Sequence, residues 1–223
     1  TGKTTISNHF IALSQARVYA DCDVEAPNLH LTFNERPKKS MPYFGMDKAV
    51  IDPTQCIGCR KCMGVCRFNA IKKIDNKFYI DIDRCEGCSV CQLVCPAGAI
   101  KMVVDQAGTV DVYQYKKHFT TGHLKAGRGN SGLLVSEVKK QMIDYTDSLA
   151  VIDGPPGIGC PVMSAVSGVD FVLIVTEPSL SGLSDMKRLI GTLEKIKMKF
   201  TVCINKSDIN PDIFNIIMSY IKE

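Results

Sequence analysis

The sequence predicts an α/β protein: a parallel sheet covered on both faces by helices, interrupted by a small cysteine-rich α+β module. Three observations predict it. Apolar segments alternate with segments of helical spacing on either side of residues 51–105. Eight of the 11 cysteines fall between Cys56 and Cys95. The chain also opens on Gly2-Lys3-Thr4-Thr5 at the mouth of a helical pattern.

Residues 5–16 place Ile6, Phe10, Ile11 and Leu13 at helical spacing. The opening residues therefore sit at a helix N-terminus, where free backbone N–H groups favour an anion. Gly-Lys-Thr in this place is the back half of a phosphate-binding loop, whose front half needs a glycine four residues ahead of Thr1. Taken alone it is a weak signal. RVYADCD (17–23) reads as a short strand ending in acids. Beyond the cysteine module, SLAVID (148–153) is an apolar strand ending in Asp153, followed by the sharp GPPGIG. DFVLIVTE (170–177) is a wholly apolar strand, then an amphipathic helix spans 182–197. FTVCIN (200–205) is another strand, with a helix over 211–222. Strands this apolar are buried on both faces of a parallel sheet. Ligands in such sheets gather at the carboxyl ends of strands, and DCD, DGPPG and NKSD all lie at such ends.

Composition sets broad limits. The 45% hydrophobic and 22% charged content are those of a soluble globular chain, and the formal net charge is only +4. No block of Lys and Arg marks a nucleic-acid or lipid footprint. No apolar run reaches membrane-spanning length, and the opening residues are neither a signal nor a transit peptide. The cysteine content in a chain without a secretory signal indicates metal ligation in a reducing cytoplasm.

Residues 56–66 read CIGCRKCMGVC and residues 85–95 read CEGCSVCQLVC, then Pro96. Each is C-x2-C-x2-C-x3-C, the spacing of a bacterial two-cluster ferredoxin, in which the fourth cysteine of each run serves the other cluster. Cys56, Cys59, Cys62 and Cys95 are thus expected to hold one 4Fe–4S cluster, and Cys85, Cys88, Cys91 and Cys66 the second. Structural zinc is the alternative, but zinc has no use for a third cysteine at this spacing. KFYIDI (77–82) and AIKMVV (99–104) read as short strands, and Phe68–Ile71 and Pro96–Ile100 as copies of one turn. The module is therefore an internal duplication. Arg60, Lys61 and Arg67 put positive charge beside the first cluster, against Glu86 near the second, so the two potentials are expected to differ.

The ordered set of GKTT, a strand-end acid, DGPPG and NKSD resembles the MinD/ParA/nitrogenase-iron-protein class of P-loop ATPases. It is most similar to MinD-like ATPases with a ferredoxin inserted in the P-loop domain. The segments that carry the resemblance are DCDVEAPNLHL (21–31), the double cysteine run, AGRGNSGLLV (126–135), VIDGPPGIGCPVMSAVSGVD (151–170), VTEPSLSGLSDMKR (175–188) and INKSD (204–208). It implies a discontinuous P-loop domain over 1–50 and 106–223, of the deviant Walker A type, with the ferredoxin module at 51–105. The family's first strand and front of its phosphate loop, with the lysine that reaches across a dimer, would precede Thr1. Its last strands would follow Glu223. The chain is read as truncated at both ends, and a sheet lacking its first central strand is expected to be poorly stable alone.

In that setting Lys3 is expected on the β- and γ-phosphates, with Gly2 admitting the backbone to them. Thr4 is expected on Mg²⁺ and Thr5 near the α-phosphate. Asp153 reads as the Walker-B-type carboxylate that holds Mg²⁺ through a water, with Gly154 to Gly157 as the switch sensing the γ-phosphate. The resemblance assigns Asp23 to orienting the attacking water, making Asp23 and Lys3 the catalytic pair. Asp21 is left between supporting Mg²⁺ and capping the turn. Asn205 is assigned to the base. NKSD is spelled like the guanine-reading motif, with Asp208 aimed at guanine, while the resembling class uses ATP, which is favoured. Cys160 corresponds to a cluster-bridging cysteine of the nitrogenase iron protein, but the partner segment here begins at Lys125 rather than cysteine, so a buried or inert thiol is expected. Cys22 and Cys203 are expected in the core, and the four histidines show no ligand spacing.

The function expected is an ATPase with magnesium and two 4Fe–4S clusters, in which nucleotide state governs electron transfer or delivery of a cluster or metal cofactor. A cytoplasmic dimer closing across the nucleotide sites, homomeric or heteromeric, and a redox or assembly partner are implied. Neither nucleic acid nor membrane is expected as a partner. Two other readings stay open: a MinD/ParA-like positioning or scaffold ATPase with redox-sensing clusters, and a ferredoxin-type electron carrier whose nucleotide domain does not hydrolyse.

Overall fold

The computed structural model describes residues 1–14, 16–32, 36–114, 117–142 and 149–222. In chain order, helix α1 (Lys3–Leu13) and strand β1 (Val18–Asp21) lead through a 3-10 turn (Leu29–Thr32) to strand β2 (Lys39–Phe44). The cysteine module follows: β3 (Lys48–Ile51), α2 (Lys61–Val65), β4 (Ile71–Ile74), β5 (Lys77–Ile80), α3 (Val90–Leu93) and β6 (Ile100–Val103). The chain returns through β7 (Gln106–Gln114), β8 (His118–Leu124), α4 (Ser131–Lys140) and β9 (Ala150–Asp153). It continues as α5 (Cys160–Val166), β10 (Val172–Thr176), α6 (Leu180–Lys195), β11 (Phe200–Ile204) and α7 (Pro211–Lys222).

The main sheet has the order β2-β7-β8-β1-β9. β1 lies between β8 and β9 and is parallel to both. Its successive side chains alternate between two cores, as the pleat of a strand requires. Val18 and Ala20 pack on one face with Leu134, Val135 and Val138 of α4. Tyr19 packs on the other with Ile11 of α1, Leu29 and Phe119. The Tyr19 and Phe119 rings stack with centroids 4.9 Å apart. β10 and β11 pair in parallel as a separate two-stranded sheet, covered by α6 and α7 around Met186, Ile190, Leu193 and Ile217.

The α/β class and the elements β1, β9, β10, β11, α1, α6 and α7 follow the sequence reading within a few residues. Gln15 and residues 143–148, at the margins of the expected first helix and of SLAVID, lie outside the described residues. The sheet is mixed rather than wholly parallel: β7 runs antiparallel to β8, and β2 antiparallel to β7. β2 and β8 carry no strand signal in sequence, since KSMPYF contains a proline and HFTTGHL is rich in Thr, Gly and His. Their pairing is tertiary. Pro42 is tolerated because β2 is the sheet edge, where a missing N–H breaks no second ladder.

The module is built twice on a 29-residue repeat, from Cys56 to Cys85 and from Cys66 to Cys95. The copies exchange reciprocal bonds: the Asp52 N–H donates to the Ala99 carbonyl at 2.8 Å and the Asp81 N–H to the Ala70 carbonyl at 2.7 Å. Asn69 and Gly98 occupy the same left-handed turn position, at φ 51° and 61°, each donating back to Cys66 or Cys95. β3 pairs with β6 and β4 with β5, both antiparallel, around a core of Ala49, Ala70, Cys85 and Ile100. The pairing strands begin at Lys48 and end at Val103.

Leu134 is fully buried between α4 and the sheet. Leu134→Ala is expected to lower the unfolding free energy by about 2–5 kcal/mol, read as a reduced denaturation midpoint at unchanged denaturant slope.

Candidate functional site

The carboxyl ends of β1 and β9 lie in register, so Asp21 stands opposite Asp153. Both carboxylates are almost wholly buried. Asp21 is satisfied by backbone alone: Oδ1 accepts from the Asp23 N–H at 3.1 Å, and Oδ2 from the N–H groups of Asn28 and Leu29 at 3.0 and 2.9 Å. The choice left open in the sequence thus falls to the turn-capping role, since every recorded contact of this carboxylate shapes the loop that carries Asp23. Burial, opposed by the Leu29 and Asp23 amides and reinforced by the Asp153 charge, raises the Asp21 pKa to about 6.

Asp153 Oδ1 accepts a hydrogen bond from Ser7 Oγ at 2.9 Å. Its Oδ2 is buried with no partner among the described residues. A buried unpaired carboxylate oxygen is costly, and a cation or its water would relieve that cost, so the donor set fits magnesium. Ser7, one helical turn beyond Lys3, was not singled out in the sequence; its signal there was only its place on the face of α1 that carries Lys3.

Gly2 caps α1 at φ 84°, in the left-handed region that favours glycine. Asn205, at the end of β11, approaches it so closely that a Cβ on Gly2 would come within 2.5 Å of the Asn205 amide nitrogen. The same amide donates to the Thr1 carbonyl at 2.9 Å, so Asn205 braces the opening loop. Asp208 is exposed on the turn that follows. Thr4 is half-buried and Thr5 exposed on the first turn of α1. Burial raises the Asp23 pKa, opposed by the Ala26 N–H and by the ammonium of Lys3, which places Lys3 and Asp23 within electrostatic reach of each other and of Asp153. Gly157, at φ 84°, lies in the loop between Asp153 and α5.

The eight clustered cysteines divide between two hollows. One is lined by Cys56, Cys59, Cys62 and Cys95, the other by Cys66, Cys85, Cys88 and Cys91. This is the division expected from the spacing. Tight left-handed turns at Gly58 and Arg60, matched by Gly87 and Ser89, bend each loop around its hollow. Among the described residues no three His, Cys, Asp or Glu side chains converge as a single ion would require; the sulfurs ring a wider space. Burial, with the neighbouring Cys56 and Cys59, raises the Cys62 thiol pKa, and burial with Cys85, Cys88 and Cys66 does the same for Cys91. Deprotonation of such crowded thiols would be favoured only beside a polycationic centre, and the two rings of four cysteines fit 4Fe–4S clusters.

The sequence did not point to Lys48. It is buried and its Nζ donates to the Cys85 carbonyl, so the second loop has a cation of its own beside Glu86. Of the two expectations for Cys160, buried or inert, the first fails: it is exposed at the start of α5, because the loop from Gly154 to Gly159 brings the chain to the surface there. Cys22 is wholly buried, with its thiol pushed up to about 12 by burial, while Cys203 is half-buried. Tertiary folding sets the His30 and His123 rings edge to face at 5.3 Å, with His123 Nε2 3.4 Å from Asp111.

Residues 49–102 match the family described as a 4Fe-4S dicluster domain. The chain is 35% identical over 218 residues to uncharacterized protein MJ0578 of Methanocaldococcus jannaschii, covering 94% of this chain and 77% of that protein. Over 62 residues it is 40% identical to the septum site-determining protein MinD of Bacillus subtilis, covering 28% of this chain and 21% of MinD. The cell division ATPase MinD of Pyrococcus furiosus superposes with a TM-score of 0.45 at 19% identity, over 98% of this chain and 74% of that one. The cysteine module read from the spacings thus matches a 4Fe-4S family in sequence, and a part of the chain is similar in sequence to MinD. No helix among the described residues is long and apolar enough to cross a membrane.

The raised pKa of Asp21 has a definite sign. Its folded value, about 6, lies above the unfolded value, so the stability that this group contributes is complete below about pH 4 and is lost as pH rises through 6. A carboxyl NMR titration of the aspartate-labelled protein is expected to show a resonance with a midpoint near 6 that vanishes in Asp21→Asn. Titration of every aspartate below pH 5 would contradict this.

Proposed function

Because the chain belongs to the family of Methanocaldococcus jannaschii MJ0578, whose length it largely spans, we propose for it the activity its strand ends are built for. It is a nucleotide-dependent iron–sulfur protein in which ATP binding and hydrolysis at residues 2–5, Asp23 and Asp153 govern electron transfer or cofactor delivery through two 4Fe–4S clusters. The observation that carries this reading is the convergence of Gly2, Lys3, Asp23 and Asp153 at one end of the sheet, in the same polypeptide as two four-cysteine hollows.

Gly2 and the first turn of α1 offer backbone N–H groups to a polyphosphate, and Lys3 adds a mobile positive charge. Thr4 and the unpaired Oδ2 of Asp153 would hold magnesium, and Ser7 orients the Asp153 carboxylate from the other oxygen. Magnesium, when bound, would neutralise charge on the phosphoryl oxygens, and each cluster, when bound, would take up and release a single electron. Phosphoryl transfer asks the protein mainly for positioning. Asp23 does this from a loop held by the three amides that converge on Asp21, within reach of Lys3. Asn205 lies against Thr1 and Gly2, and it and Asp208 would meet the base. The loop with Gly157, leading from Asp153 into α5, would report the γ-phosphate. Two such sites facing each other in a dimer would close on nucleotide and open on its loss.

Anaerobic purification of the full-length protein, with cluster spectra and reduction potentials recorded with ATP, with ADP and without nucleotide, tests the coupling. Nucleotide-dependent potentials support it, and indifference to nucleotide refutes it. Lys3→Ala is expected to weaken nucleotide binding by roughly 10- to 100-fold, the loss of about 1.5–3 kcal/mol of charged hydrogen bonding. It should leave the clusters' visible absorption intact. Exchange of Cys59 and Cys62 together for serine is expected to remove about half of the bound iron while the second hollow stays filled. Zinc in place of iron, or loss of all metal, would contradict the assignment of two independent sites.

A further inference from the structure

The repeat of the cysteine module is broken on one side. Thr54 and Ile57 of the first copy correspond to Asp83 and Glu86 of the second. Ile57 is 69% exposed, and the recorded hydrogen bonds of residues 52–62 all stay within the module among the described residues. The second copy is gripped from outside. Asp83 accepts from Arg128 Nη1. Gly127, at φ +74°, lies so close to Asp83 that a Cβ would sit 3.3 Å from that side chain, and a Cβ on Gly129 would sit 3.2 Å from the Glu86 carboxylate. A side chain at either glycine would thus meet the module.

Arg128 is itself fixed. Its Nε lies 2.8 Å from Asp105 Oδ2 as a largely buried ion pair, held by charge rather than by an aligned hydrogen bond. Asp105 is the second residue beyond β6, where the module returns to the sheet. Asp83 is 64% exposed, so its own pairing is weak, and what holds the guanidinium in place is its buried charge contact with Asp105. Lys48, at the start of β3, donates to the Cys85 carbonyl, and the Asp47 carbonyl would lie 2.4 Å from a Cβ on Gly87.

The segment that holds Arg128 runs directly into α4, and α4 is strapped to α5 at both ends. At the start, Gly132 admits the backbone of Cys160, which would lie 3.1 Å from a Cβ there. At the finish, Lys139 Nζ donates to the carbonyls of Ser164, Ala165 and Ser167 at 2.9, 2.8 and 2.5 Å. α5 begins where the loop leaving Asp153 ends. A displacement of that loop carries α5, α4 and Arg128 together, because packed helices shift as units rather than deform.

We propose that Arg128 is a positioning residue that transmits nucleotide occupancy to residues 83–91. Of the two candidate cluster sites, the one formed by Cys66, Cys85, Cys88 and Cys91 answers to nucleotide, and the one formed by Cys56, Cys59, Cys62 and Cys95 does not. The proposal rests on the reading above that nucleotide binds at Lys3 and Asp153.

The test is hydrogen–deuterium exchange on the full-length, cluster-loaded protein under anaerobic conditions, with and without magnesium and a non-hydrolysable ATP analogue. The parent should show a several-fold nucleotide-dependent change in exchange across 83–91 and none across 56–66. Arg128→Gln should lose that response while its affinity for the analogue, measured by calorimetry, is unchanged. Asp83→Asn, at an exposed position that leaves no buried charge unpaired, should lose it independently. In a redox titration followed by electron paramagnetic resonance, the nucleotide-dependent shift should fall on one of the two potentials and vanish in Arg128→Gln. A merely structural Arg128 would alter exchange equally with and without the analogue. Equal responses in the two loops, or a response surviving in both variants, overturns the proposal. Binding of the analogue with 83–91 silent overturns it alone, whereas failure of the parent to bind the analogue overturns the nucleotide reading and this inference with it.

Discussion

Two buried carboxylates at neighbouring strand ends govern this structure. The parallel register of β1 with β9 places Asp21 beside Asp153, away from water, and like charges so placed repel. The fold resolves the conflict asymmetrically. Asp21 gathers three backbone amides and in doing so bends residues 22–29 into the loop that carries Asp23, within electrostatic reach of Lys3. Asp153 receives a single hydroxyl from Ser7 and keeps a second oxygen open. One carboxylate shapes the backbone and the other leaves an oxygen without a protein partner among the described residues, although both are aspartates ending apolar strands.

The cysteine module solves a different problem. Its two copies are too small to bury a core separately, so each completes the other through the reciprocal bonds of Asp52 with Ala99 and Asp81 with Ala70. Small alanines at the interface let the loops approach around Cys85 and Ile100. Duplication alone would leave the two hollows equivalent. What distinguishes them among the described residues is what each meets: Lys48, at the start of β3, donates to the Cys85 carbonyl, and Arg128 with the glycines beside it reaches the second loop from the larger domain. The charge asymmetry read from sequence, with cations near the first loop and Glu86 near the second, is thereby offset. The second loop acquires a buried ammonium and a nearby guanidinium from residues distant in the chain.

Local patterns carried much of this. The cysteine spacings led to the grouping of Cys56, Cys59, Cys62 and Cys95 against Cys66, Cys85, Cys88 and Cys91, because ligand spacing in a tight loop is a short-range property. Apolar strands such as VLIVT and amphipathic stretches such as 180–195 announce themselves by periodicity. β2, β7 and β8 did not, because an edge strand with a proline and a strand of threonines and histidines are stabilised by their neighbours rather than by their own composition. The burial of Cys160 was misjudged for the same reason: whether a thiol at a helix start is covered depends on what packs over it, and this one is exposed.

The sequence by itself determined the α/β class, the presence and candidate grouping of the eight cysteines, and the candidate phosphate-loop and strand-end acids, since each is written in residues a few positions apart. Only the tertiary structure decided which acid organises the loop and which stays open, that Ser7 orients Asp153, and that Arg128 joins one cysteine loop to the helix beside Cys160. Those outcomes depend on strand register and on buried charge pairs between residues far apart in the chain, and such relations exist only once the sheet has assembled.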